Sequence, residues 1–96
     1  MNREEVLAII NKHRAELKKF DVGTLALFGS VARNEATSQS DIDVLVSFAR
    51  PVGLFTFLSL KHYLVELLGK PVDLVTPRAL HPRLRERILS ETVYAA

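Results

Sequence analysis

The sequence predicts an α/β fold: a small β-sheet with helices packed against it. Three observations lead there. Three short runs of β-branched and apolar residues, 24–28, 42–48 and 72–76, are each bounded by Gly, Pro or polar residues. Longer stretches between and around them carry apolar residues at helical spacing. The resulting order is helix, strand, short helix, strand, helix, strand, helix, which suits one sheet covered by helices.

The first helix is expected from Arg3 to Lys18. Asn2 suits the N-cap, and Glu4 and Glu5 suit the positive end of the helix dipole. Val6, Ile9, Ile10, His13 and Leu17 form one stripe, with His13 at the edge of the core. Asp21 and Gly23 break the pattern, and Thr24–Phe28 reads as a strand ending at Gly29. Ser30–Arg33 can make a turn of helix, and the polar run Asn34–Ser40 a loop. Ile42–Phe48 is the second strand.

After Pro51 and Gly53 a helix spans Leu54–Leu68; Gly69 ends it and Pro71 blocks its continuation. Its apolar arc takes about half the circumference and holds Leu54, Phe57, Leu58, Leu60, Leu64, Val65, Leu67 and Leu68. Lys61 also falls inside that arc, either snorkelling to water or reaching toward a site, whereas Phe55 falls outside it beside His62. Val72–Thr76 is the third strand, stopped by Pro77. A last helix begins near Pro82 and ends near Ser90, and Thr92–Tyr94 is a short extended tail.

Composition narrows the function. The chain has 96 residues, 48% hydrophobic and 25% charged, which suits one ordered domain over 1–96. It has no cysteine, so disulfides, thiolate metal sites and cysteine nucleophiles are excluded. Its 3 histidines are too scattered for a zinc cluster. The N-terminus lacks signal-peptide character, and Leu54–Leu68 is too short and too charged to span a bilayer. A soluble cytoplasmic protein without membrane contact is expected. A net charge of +2 does not argue for nucleic acid. Arg78, Arg83, Arg85 and Arg87 with His81 read as a solvated helix face or as a docking surface for an acidic partner or triphosphate. No aromatics interleave them for base stacking.

The chemistry concentrates in Gly29-Ser30 and, after ten intervening residues, Asp41-Ile42-Asp43. Residues i and i+2 of a strand share a face, so Asp41 and Asp43 should aim together. Two carboxylates about 5 Å apart repel by roughly 3 kcal/mol at an effective dielectric of 20. A divalent cation between them relieves this, and magnesium takes a few carboxylates plus phosphate oxygens and water. Gly29 lets backbone approach a ligand, and Ser30 can donate to a phosphate oxygen from a helix start. Arg33 can reach phosphate or pair with a carboxylate. Asp73 points away from the face of Val72 and Leu74. If its strand neighbours that of Asp43, three acids converge as two-metal phosphoryl or nucleotidyl transfer requires.

These residues, with the segments LFGSVARNEA, SDIDVLVSF and LLGKPVDLVTPRAL, resemble the minimal nucleotidyltransferase (MNT) family of the DNA polymerase beta-type nucleotidyltransferase superfamily. Where many relatives carry glycine this chain has Asn34, which tolerates the left-handed backbone such a turn needs. The resemblance implies the mixed sheet of the polymerase beta-like fold. It implies that Gly29 and Ser30 hold ATP, with Arg33 a further candidate. It implies that Asp41 and Asp43 bind two magnesium ions and that Asp73 binds the catalytic ion and helps deprotonate the attacking hydroxyl. It further implies an antitoxin that transfers AMP from ATP to a hydroxyl, a tyrosine, of a HEPN-domain ribonuclease toxin. The alternatives are a non-catalytic antitoxin that occludes its toxin, or transfer to RNA or a small molecule. The broad apolar helix makes self-association or a toxin–antitoxin hetero-oligomer an expectation as well.

Overall fold

A computed structural model describes residues 1–95. The elements in order are α1 (Arg3–Lys12), α2 (Arg14–Lys18), β1 (Val22–Phe28), α3 (Gly29–Ala32), β2 (Ile42–Phe48), α4 (Leu54–Leu68), β3 (Val72–Val75), a 3-10 turn (Pro77–Ala79), α5 (Pro82–Glu91) and β4 (Val93–Tyr94). The strands form one mixed sheet in the order β3-β2-β1-β4. β1 runs antiparallel to β2 and β4, and β2 runs parallel to β3. A parallel pair needs a long crossover, and α4 supplies it.

One face of the sheet carries most of the core. Ile42, Val44 and Val46 of β2 and Val72 and Leu74 of β3 pack there with Val6, Ile10, Leu17, Leu60 and Leu64 from the helices. The other face is thinly covered: Ala26, Phe28 and Leu45 meet Leu80 and, from α5, Ile88. α5 buries none of its own residues. Asp43 and Asp73 alternate with the core residues, so they emerge on this thin face.

Several expectations hold at residue level. Asn2 caps α1, accepting from the Glu5 amide at 2.9 Å, and Glu5 returns a bond to the Asn2 amide at 3.1 Å. Gly69 takes φ +67° and ends α4, and Asn34 adopts φ 60°. The bounds of β2 and α4 are as expected.

Other expectations are corrected. The helix over Arg3–Lys18 divides at His13. His13 Nδ1 donates to the Ile9 carbonyl at 2.8 Å, the acceptor its own amide would take in a continuous helix. The amide turns to Ile10 O at 3.0 Å instead. Gly23 does not stop the chain before β1 but lies inside it, at a register irregularity between Val22 and Thr24. The tail over Thr92–Tyr94 is extended as expected, and Val93 and Tyr94 in addition pair with Leu27 and Ala26. Leu54 and Leu58 of the apolar arc stay 71% and 49% exposed, while Leu60 and Leu64 are fully buried. A sheet face covers a stripe narrower than half a helix, so the rest of the arc is left to solvent. Among the described residues no helix is long and apolar enough to cross a membrane.

Candidate active site

The site begins with a turn that only glycine permits. Gly29 follows β1 at φ +67°, and an added Cβ would overlap the Asp43 carboxylate. The glycine thus makes room for an acid of this chain, a use beyond the approach to ligand that its sequence context suggests. From Gly29 a single turn, α3, carries Ser30 and buries Val31 and Ala32. Amides in the first turn of a helix lack intrahelical acceptors and face outward along its axis. Arg3 pins this turn from α1: its Nη1 donates to Ala32 O at 3.0 Å and its amide to Asn34 Oδ1 at 3.3 Å. No local pattern in the sequence marks Arg3 for this, since its partners lie about thirty residues away.

The three strands then place the acids. Asp43 is the register partner of Phe28, the residue before Gly29, and on its other side it is the partner of Asp73. Adjacent strands lie about 4.8 Å apart, so Gly29, Asp43 and Asp73 make a row across the sheet. Asp43 is half-buried and Asp73 exposed. Asp41 is exposed too, one residue ahead of β2. Burial, then Asp73, then Asp41 hold the Asp43 carboxyl above its ordinary range, and Arg33 partly offsets them.

The row brings Asp43 and Asp73 side by side with Asp41 within electrostatic reach. Among the described residues no three carboxylate, histidine or cysteine side chains close into a metal cage. The donor set is nevertheless of the kind magnesium takes, hard carboxylate oxygens whose shell phosphate and water complete.

Arg33 resolves toward carboxylates. Its Nε lies 3.3 Å from Glu35 and its Nη1 3.1 Å from Glu91, which ties α3 to α5. In the arginine cluster, Arg85 donates to Pro77 O at 2.8 Å, and Arg87 meets Glu91 at 3.5 Å. His13 serves the α1–α2 junction through its bond to Ile9 O. Lys61 does border the acids: with Asp41, Val65, Pro71 and Asp73 it lines an open cleft of about 630 Å³.

Comparison with known proteins finds likenesses in sequence and in fold. The nucleotidyltransferase domain family matches residues 10–95. Protein adenylyltransferase MntA of Thermococcus cleftensis is 40% identical over 92 residues, covering 95% of this chain and 93% of that protein. A solved structure described as a candidate minimal nucleotidyltransferase superposes with a TM-score of 0.83 at 39% identity, over 97% of this chain and 95% of the other. A crystal structure described as a toxin–antitoxin with AMP-PNP superposes with a TM-score of 0.73 at 25% identity, over 91% and 72% of the two chains.

Proposed function

The chain belongs to the nucleotidyltransferase domain family, and from that membership we propose that it is a cytoplasmic antitoxin acting on a HEPN-domain ribonuclease toxin. It transfers AMP from ATP to a hydroxyl of that toxin, a tyrosine, and so neutralises it. The observation that carries the reading is the row Gly29–Asp43–Asp73, an acid pair seated against a turn with no room for a side chain.

Each residue has a task in that row. Gly29 and the α3 amides receive the triphosphate, with the Ser30 hydroxyl donating to a phosphate oxygen. Asp41, Asp43 and Asp73 would hold two magnesium ions, which supply charge neutralisation for the phosphates when bound. The acceptor oxygen attacks the α-phosphorus, and the bond from that phosphorus to the bridging oxygen breaks. Pyrophosphate leaves with the electron pair, and Asp73 takes the hydroxyl proton. Arg33 steadies α3 through Glu35 and Glu91, and its charge partly offsets the raised Asp43 carboxyl.

The test is labelling of the cognate toxin from radioactive ATP. Transfer is expected with the native chain and lost in Asp41→Asn or Asp43→Asn; persistence in both overturns the acid assignment. A second reading, neutralisation by occlusion, draws on the 89% exposed Phe55 beside Leu58. Toxin-arrested cells fully rescued by the Asp41/Asp43 double variant would favour occlusion over catalysis.

A further inference from the structure

Displacement at phosphorus places the entering and leaving oxygens in line. If the triphosphate is held at Gly29 and Ser30, at the β1 end of the row, pyrophosphate departs toward β1. The hydroxyl must then enter from the far end, past Asp73. There the sheet stops, because β3 is its edge strand and has β2 as its neighbour. The cleft of about 630 Å³ opens at that edge, between β3 and the C-terminal half of α4.

The walls of the cleft say what enters. Val65 and Pro71 give it apolar surface, and Asp41 and Asp73 stand on the side of the chemistry. Two lysines line it. Lys70 is already used, donating to Ser38 O at 3.0 Å and fixing the loop before Asp41. Lys61 is exposed and makes no hydrogen bond or ion pair among the described residues. Glu66 lines the cleft as well, 3.8 Å from His62 Nε2. Once the aspartates are engaged with cation and phosphate, the two ammonium groups outnumber that one carboxylate, and Lys61 is the one without a partner among the described residues. Among the described residues no aromatic side chain lines the cleft for stacking a base, which favours a protein segment over RNA.

We infer that this cleft receives the segment of the partner protein bearing the acceptor hydroxyl, and that Lys61 selects a segment with a carboxylate beside it. The inference rests on the nucleotidyl-transfer reading above and adds where the acceptor sits and what it must carry.

Two fluorescein-labelled peptides test it, Glu-Glu-Val-Tyr-Val-Glu-Glu and its counterpart with lysine at every glutamate. Binding is read by anisotropy in the presence of magnesium and a non-hydrolysable ATP analogue, and AMP addition by mass spectrometry with ATP. The acidic peptide is expected to bind at least about threefold more tightly, as one exposed charge pair allows. Lys61→Glu should reverse that preference and Lys61→Arg retain it, with the affinity for the ATP analogue unchanged in both. The cleft is overturned if neither peptide binds, if the preference survives Lys61→Glu, if that variant weakens the ATP analogue instead, or if oligouridine outcompetes the acidic peptide. AMP transfer without charge preference would overturn the cleft alone. Selective binding of the acidic peptide with no transfer to any acceptor would support the cleft and sink the enzymatic reading.

Discussion

Asp43 is held at a cost to stability. Its carboxyl is raised by burial and by Asp73 and Asp41, so the folded chain holds that proton more tightly than the unfolded chain does. Stability therefore falls as pH rises from the ordinary carboxylate range through the raised native value, and the penalty is complete above that value. Asp43→Asn removes the charge and keeps the shape. We expect its Tm to exceed that of the native chain at pH 7, with the gap narrowing as the pH falls toward about 4. Equal Tm values at pH 7 would mean that the Asp43 charge costs the fold nothing. Gly29 shows the converse economy. Gly29→Ala must hold alanine at φ +67° and force its Cβ into the Asp43 carboxylate. The left-handed angle alone costs roughly 1–2 kcal/mol. A lower urea midpoint and lost AMP transfer are expected together; an unchanged midpoint would mean that Asp43 does not lie against this turn.

At the scale of elements, α4 does the most to hold the acids in register. It joins the two parallel strands whose pairing sets Asp43 beside Asp73, and Leu60 and Leu64 pin it to the sheet with no exposed surface. Leu64→Ala is expected to cost about 2–5 kcal/mol in urea unfolding, a large share of a stability of about 5–15 kcal/mol. A loss under about 1 kcal/mol would show that the site is held without this contact. The bounds of α4 are also legible, because Gly53, Gly69 and Pro71 punctuate a long apolar run. The α1–α2 junction was not legible. Whether a histidine continues a helix or captures the carbonyl of residue i−4 turns on one side-chain bond, and helical spacing is the same either way. The pairing of β4 was similarly hidden, since two residues carry no periodicity and their place beside β1 depends on long-range closure.

For the whole molecule, strand order matters more than strand content. The order β3-β2-β1-β4 puts the Gly-Ser turn on one flank of Asp43 and Asp73 on the other, and leaves the Asp73 flank open at the sheet edge. The proposed division into a phosphate end and an acceptor end rests on that asymmetry. The same order also leaves the thin face to α5, which Arg33 and Glu91 tie back to the turn after Gly29 across 58 residues of sequence.

The identity of the three longer strands and of α4 and α5, the turn at Gly29 and the residues that are candidates for the chemistry can be read from the chain alone. They follow from local properties: alternation, helical period, glycine and proline stops, and acids interrupting apolar runs. Register, neighbours and partners cannot be so read. Asp73 faces Asp43, Arg33 meets Glu91 and Lys61 borders the acids because one apolar face must be buried. The free energy of that burial belongs to the assembled sheet and helices, and no single segment of sequence carries it.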